Sequence, residues 1–146
     1  MLRLVARIQG WFYVLTGLWS LVDLDSFQAV TGPKADLWLV YTVGALVSAI
    51  GLALLVAAGN DRIGVETMTL AVGSALVLAA IDVTFVAREV ISSIYLLDAA
   101  AELALVGWWS LTHVRTRNQP PAPAPQYPYL QALLARGQSV APSRRT

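Results

Sequence analysis

The run LWLVYTVGALVSAIGLALLVAAG, residues 37–59, decides the fold class of this chain. It is uncharged throughout and long enough to cross a membrane as a single helix. A helix rises about 1.5 Å per residue, so about 20 residues span a hydrocarbon core of roughly 30 Å. The sequence therefore predicts a transmembrane helix over these residues.

Three further apolar runs of similar length are bounded by charge, proline or glycine. They cover Leu4 to Val22, Val65 to Ala87 and Ile91 to Thr112. The first run lacks a small-x-small cleavage site, so we interpret it as a retained helix and not as a signal peptide. The 146-residue chain is 57% hydrophobic and 13% charged, which is too apolar for a soluble protein of this size. We predict an all-α integral membrane protein whose residues 1–113 form one domain, a four-transmembrane-helix bundle.

The basic residues predict how this bundle is oriented. With both termini on the inner side, eight of the ten Lys and Arg residues lie inside, and only Lys34 and Arg88 lie outside. Nine Arg against one Lys, with many Ala, Val and Gly residues, is typical of a high-GC bacterial genome. We therefore expect a multi-pass protein of the bacterial inner (cytoplasmic) membrane, N-in and C-in.

Apart from Glu66, which lies next to the inner loop, three carboxyl groups lie within the apolar runs, where ionisable groups are costly and usually functional. Asp98 and Glu102 are four residues apart on one face of the last run, and Asp82 lies late in the run before it. A short connection joins these two runs, so the three acids should share an acidic pocket that opens outward. A carboxylate at that depth must be protonated, paired with a cation or hydrated.

Few residues are placed to partner these acids. The candidates are aromatic, hydroxyl and basic residues at the same level, and with the acids they form the predicted ligand-binding set: Asp82, Asp98, Glu102, Arg88, Tyr95, Tyr13, Thr16 and Lys34. In the alternative interpretation, Asp82 pairs with Arg88 and the other acids hydrogen-bond across helices, which would make all three structural.

Small residues form stripes on the two central runs. They are Gly44, Ser48 and Gly51 on one, and Ala71, Ala75 and Ala79 on the other. Such stripes allow helix backbones to approach closely. They predict packing within the bundle, and they also offer faces for a homo-oligomer or a larger membrane complex.

The outer loop between the first two runs is predicted to hold a short interfacial helix. Asp25 or Ser26 would cap this helix, which would continue through Val30 and end at Gly32-Pro33. It would lie across the outer mouth of the bundle like a lid.

The stretch Ser26 to Gly44, which includes TGPKADLWLV at residues 31–40, together with Tyr95-Leu96-Leu97-Asp98, resembles small four-span bacterial membrane proteins of unknown function. This resemblance covers residues 1 to about 113 and transfers no activity. In general layout the chain is also similar to the four-span sterol isomerase and sigma-2 receptor group, which implies intramembrane acids that hold cationic ligands. No histidine or acidic motif of that group aligns with this chain, so the similarity is one of layout.

The composition changes after the fourth run, in the tail formed by residues 114–146. Residues 118–128 contain five of the seven prolines, which predicts an extended polyproline II spacer on the inner side. Beyond it, residues 129–136 place Leu130, Leu133 and Leu134 on one face before Gly137. This pattern predicts a two-turn helix that docks on the bundle, on the membrane surface or on a partner.

Motifs of established chemistry are absent from the sequence. There is no GxGxxG, no phosphate loop, no cysteine, a single histidine (His113) and no interleaving of basic and aromatic residues. We therefore expect no cofactor and no nucleic-acid partner, whereas the three carboxylates leave a hard metal cation open.

Three functions fit the sequence. The first is binding of a cation, a proton or a lipophilic ligand in the acidic pocket. The second is an accessory or scaffold subunit of a membrane complex, in which the acids are structural. The third, an acid/base enzyme acting on a lipid-like substrate, is less favoured.

Overall fold

The computed structural model describes residues 1–60 and 62–117, and every regular element in these ranges is an α-helix. The helices are α1 (Leu2–Val22), α2 (Leu24–Thr31), α3 (Leu37–Gly59), α4 (Val65–Ala87) and α5 (Tyr95–Arg117). The predicted all-helical class is thus confirmed. The predicted proline-rich spacer and the helix over residues 129–136 lie outside the described residues.

Two of the described helices, α3 and α4, are long and apolar enough to cross a membrane, judged by length and composition. Their bounds coincide with the second and third apolar runs. Both are free of charge except near their ends, at Glu66 in the first turn of α4 and Asp82 in its last turns.

The bounds of the other two long helices differ from the apolar runs. The last run was expected to be helical from Ile91 to Thr112, but α5 begins at Tyr95 and continues to Arg117. Its start is delayed because Ile91 N–H still bonds back to the Phe85 carbonyl. Its end is extended because polar residues after Thr112 are compatible with a helix, although they end the apolar run. For the same reason α1 begins at Leu2, before Arg3, and not at Leu4.

The short helix α2 lies in the loop between α1 and α3, as predicted, but its cap differs from the predicted one. The side chain of Asp23, and not that of Asp25 or Ser26, accepts the Ser26 backbone N–H at 3.1 Å. Asp23 follows the last residue of α1 directly, so it ends one helix and caps the next. Hydrogen bonds from Ser26 lower the pKa of Asp23, and the bond from the Ser26 side chain has a larger effect than the bond from its backbone N–H. Gly32, with φ of +88°, ends α2.

The turn after α4 has an unusual residue in the left-handed region. Glu89 has φ of +58°, Glu89 N–H bonds to the Val86 carbonyl, and Val90 N–H bonds to the Phe85 carbonyl. This is the Schellman arrangement, in which glycine is the usual residue at the left-handed position. A glutamate there stores backbone strain, because its Cβ crowds the backbone.

The four long helices pack mainly as two pairs. α1 packs along α3, α4 packs on α5, and contacts between the two pairs are fewer. Gly17 of α1 lies against Gly44 and Ser48 of α3, and Gly10 lies against Gly51. The small residues of α3 are therefore used inside the chain.

The polar contacts between helices show which helix ends lie side by side. Arg3 Nε donates to the Ala58 carbonyl at 3.2 Å, and Gln9 Nε2 donates to the Ala71 carbonyl at 2.8 Å. The start of α1 therefore lies beside the end of α3 and the start of α4. We call this the termini end, since α5 also finishes there, and we call the opposite end, which carries the short helix, the α2 end.

The termini end contains the apolar core. Large and small side chains from all four long helices interlock there: Val5, Ala6, Leu54, Ala58, Ala71, Leu105 and Trp109. Trp109, Leu54 and Val5 are fully buried. This core fixes the helix pairs against each other at one end and leaves the other end to be shaped by different side chains.

Candidate ligand-binding cavity

A cavity of about 570 Å³ lies between the helix pairs at the α2 end. This volume is within the range of small-molecule sites in proteins. Most of its surface is apolar, and every helix contributes to it. Among the apolar lining residues are Phe27 and Val30 of α2, Val43 and Val47 of α3, and Leu78 and Ile81 of α4.

The cavity brings together seven of the eight predicted site residues. They are Tyr13, Thr16, Lys34, Asp82, Tyr95, Asp98 and Glu102. The exception is Arg88, whose guanidinium carbon lies 5.8 Å from the centre of the Phe85 ring. The polar groups of the cavity therefore come from helices α1, α4 and α5 and from the loop after α2.

Asp82 is the most unusual of these residues. Its side chain is only 6% exposed, and its Oδ2 atom is buried without a hydrogen-bond partner. A buried oxygen that receives no donor costs free energy, so it requires either a proton shared with a neighbouring carboxyl group or a ligand that donates. The Asp82–Arg88 pair of the structural interpretation does not supply one, because the guanidinium lies over Phe85.

Asp98 faces Asp82 across the α4–α5 interface, within hydrogen-bonding reach. Ionised carboxylates only accept hydrogen bonds, so two of them cannot make this contact without a proton or a cation between them. Asp98 is half-buried, which leaves it accessible from the cavity. The two side chains together form an acidic pair that can hold a positive charge.

Glu102, by contrast, has a partner. It is 1% exposed, and the Tyr13 hydroxyl donates to its Oε2 at 2.9 Å. The Ser74 hydroxyl lies 3.3 Å from the Tyr13 oxygen and also contacts the Leu70 carbonyl at 2.7 Å. This cluster joins α1, α4 and α5, so Glu102 has a structural role in addition to lining the cavity.

On the side of Tyr13 that faces the termini end, Gln9 and Trp109 separate the cavity from the apolar core. Trp109 Nε1 donates to Gln9 Oε1 at 2.7 Å, and the Gln9 amide nitrogen donates to the Ala71 carbonyl. Both side chains are fully buried. Gln9 and Trp109 are 100 residues apart in the sequence, and no pattern in the sequence indicates that they contact each other.

Lys34 lies at the edge of the cavity nearest α2. Its ammonium nitrogen donates to the Thr31 carbonyl at 3.0 Å and lies 4.8 Å from the centre of the Tyr95 ring. Its backbone N–H donates to Gln28 Oε1 at 3.0 Å. Thr16, predicted as a partner of the acids, instead donates to the Phe12 carbonyl of its own helix at 2.8 Å.

The donor set of the cavity does not match a metal centre. Within residues 1–60 and 62–117, no three His, Cys, Asp or Glu side chains are grouped so that they could hold a metal ion. An acidic pair beside a large apolar surface is better suited to a ligand that has both a positive group and an apolar part.

Comparison of the chain with protein families, with curated proteins and with solved structures found no match. The function is therefore inferred from the residues of the cavity.

Proposed function

We propose that this chain crosses the cytoplasmic membrane of a bacterium four times and that its cavity binds an amphiphile with a cationic head through Asp82 and Asp98. The observation that carries the proposal is the unpartnered, buried Oδ2 of Asp82 in a cavity with mainly apolar walls. An ammonium group would supply the missing donor and balance the acidic pair. The apolar part of the ligand would cover the rest of the cavity.

The outward faces of all four long helices support the membrane part of this proposal. Trp11 and Leu15 on α1 and Leu103 and Leu111 on α5 each expose more than half of their surface. Soluble monomers rarely expose apolar patches of this extent, whereas lipid covers them without cost. The carboxyl groups that lower the hydropathy of α5 line the cavity, away from these leucines.

The charge at the two ends supports an orientation with both termini inside. The termini end carries Arg3, Arg7 and Arg62 against Glu66, whereas the α2 end carries four acids against two bases: Asp23, Asp25, Asp36 and Glu89, with Lys34 and Arg88. Basic flanks remain on the cytoplasmic side of bacterial membranes. The cavity would then open toward the outer side.

Reporter fusions test the orientation. A reporter that is active only in the cytoplasm should be active after Thr146 and inactive when inserted at Gly32. The opposite pattern would reverse the orientation, and activity at neither or both positions would contradict an even number of spans with termini inside.

A thermal-shift experiment tests the binding site. Dodecylamine and dodecanol, which share a chain and differ in charge, are added at equal mole fraction to the protein in a neutral maltoside detergent. The amine should raise the unfolding midpoint by several degrees and the alcohol should not, because a ligand that binds only the folded state stabilises it. Equal shifts from both would contradict a charge-selective site.

Variants locate the effect within the cavity. Asp82→Asn and Asp98→Asn should each abolish the amine-specific shift, measured against the ligand-free midpoint of the same variant. Glu89→Gln is the matched control, because Glu89 lies at the same end, is exposed and is not part of the cavity lining. If the two aspartate variants keep the full shift, the acidic pair is not the site.

The acid/base enzyme remains the second candidate, and the Tyr13–Glu102 hydrogen bond favours it. A carboxyl group with a phenol at 2.9 Å in a water-poor cavity is arranged for proton transfer to a bound molecule. In that case a lipid-like ligand recovered after incubation would contain a product detectable by mass spectrometry. The product would be lost in Glu102→Gln and retained in Glu89→Gln.

A further inference from the structure

The edge of the cavity carries a positive charge that a purely cationic ligand would not use. The Lys34 side chain lines the cavity together with the acids. One of the three N–H donors of its ammonium is bonded to the Thr31 carbonyl, and one side of the ammonium makes a cation–π contact with the Tyr95 ring. Among the described contacts, donors of this ammonium are left for a ligand.

Helix α5 carries both the aromatic ring that Lys34 contacts and one member of the acidic pair. The ammonium lies over Tyr95, and Asp98 is three residues further along the same face of this helix. Three residues correspond to about 4.5 Å of helical rise. The cavity therefore presents a positive group beside Tyr95 and, one helical turn further along α5, the acidic pair.

This arrangement discriminates between ligand charges. An ammonium bound at Asp82 and Asp98 is repelled by Lys34 within the same cavity, and a lone anion at Lys34 is repelled by the acids. A ligand with an anionic group next to its ammonium satisfies both. A phosphate joined to an ammonium through two carbons carries both charges on one short head, as a cavity lined by Lys34 and by the acidic pair requires.

We propose that the cavity selects a zwitterionic amphiphile, namely a lipid with a phosphoethanolamine head, with its phosphate at Lys34 and its ammonium at Asp82 and Asp98. This inference rests on the proposed binding function and names its ligand class. Phe27 and Val30 of α2 and Val43 of α3 form the apolar wall along which the chain of the lipid would lie. A single-chain lipid suits a cavity of about 570 Å³.

The test compares three probes that have chains of matched length. They are lysophosphatidylethanolamine, the corresponding primary amine and lysophosphatidic acid, each titrated by mole fraction in maltoside micelles with the full chain. The zwitterion should bind at least ten times more tightly than the amine, and lysophosphatidic acid should bind more weakly than both. Binding of the zwitterion no tighter than that of the amine overturns the proposal.

Lys34 variants separate recognition from a structural role of this side chain. Lys34→Gln should weaken binding of the zwitterion about tenfold and leave binding of the amine unchanged or tighter, because a repulsive charge is removed. Lys34→Arg should restore binding of the zwitterion. Arg88→Gln is the matched control, since it removes the other cation at the α2 end, which is outside the cavity lining.

The outcomes distinguish this inference from the proposed function. If Lys34→Gln weakens the amine and the zwitterion equally, Lys34 only holds the loop in place, and the inference fails while cation binding stands. If no probe binds and Asp98→Asn changes nothing, both fail. Ligand-free unfolding midpoints of each variant show whether a loss of binding reflects a loss of folding.

Discussion

The space between the two helix pairs is filled at one end of the molecule and open at the other. At the termini end, the space between the helix pairs is filled by Trp109, Leu54 and their neighbours, and the Gln9 amide has both of its groups bonded. At the α2 end, the same helices enclose about 570 Å³ and leave Asp82 Oδ2 without a partner. Stability therefore comes mainly from one end, and the other end carries the costs expected of a binding site.

The largest effect should come from removing the main side chain of the termini end. Trp109→Ala deletes a fully buried ring and leaves the Gln9 carbonyl without its donor. We expect a loss of about 3 to 5 kcal/mol in the free energy of unfolding, measured by SDS titration in mixed micelles. Trp108, the neighbouring and partly exposed tryptophan, provides the control, and Trp108→Ala should cost far less. Equal losses would show that the termini end is not the stable core.

The next effect concerns the close approach of α1 and α3. A Cβ at Gly51 would lie 2.6 Å from the Gly10 carbonyl oxygen and 2.8 Å from the Val14 nitrogen, so Gly51→Ala forces two backbones apart. We expect destabilisation of about 1 to 3 kcal/mol. A Cβ at Gly107 meets nothing within 4 Å, so Gly107→Ala should instead stabilise by roughly 0.5 to 1 kcal/mol through helix propensity. The same sign for both variants would refute the close α1–α3 packing.

At the α2 end, removing the side chain of one acid, Asp82, should raise the free energy of unfolding and not lower it. Asp82→Leu removes a buried oxygen that receives no donor, together with its contact with the second acid, Asp98, and we expect the ligand-free protein to gain about 1 kcal/mol in unfolding free energy. Glu102→Leu should lose stability, because the Tyr13 hydroxyl loses its acceptor. These two leucine variants, compared by the same SDS titration, test whether the acids differ as their hydrogen bonds indicate. A loss in Asp82→Leu as large as that in Glu102→Leu would mean that Asp82 is also a structural group.

The long helices and the shared face of Asp98 and Glu102 could be predicted from the sequence, because apolar runs and helical periodicity are local properties. The side-chain contacts between helices could not be predicted from it. Gln9 and Trp109 are 100 residues apart, and their contact depends on the rotation and axial position of two helices. The start of α5 was also missed, since the turn that delays it depends on Glu89 adopting a left-handed conformation that its residue type disfavours.

The smallest predicted effect is a pH dependence at the cap of α2. Hydrogen bonds from Ser26 lower the pKa of Asp23, so the folded carboxylate is protonated at a lower pH than the unfolded one. Its contribution to stability is present above the ordinary value of 3.8 and is lost as the pH falls through the lower, folded pKa. Unfolding midpoints of the protein and of Asp23→Asn should therefore converge in strongly acidic solution. A constant difference from neutral to acidic pH would contradict the predicted role of the carboxylate.

The orientation of the Gln9 amide has a consequence for the kinetics of any ligand. Its carbonyl is occupied by the Trp109 ring nitrogen and its NH₂ group by the Ala71 carbonyl, so the amide is locked between a donor that cannot accept and an acceptor that cannot donate. No proton can be passed along such a sequence of groups, and the tightly interlocked side chains behind it leave no passage for a larger molecule. The cavity is therefore closed toward the termini end, and the residence time of a ligand depends on movements at the α2 end, among them those of α2 and of the loop that carries Lys34.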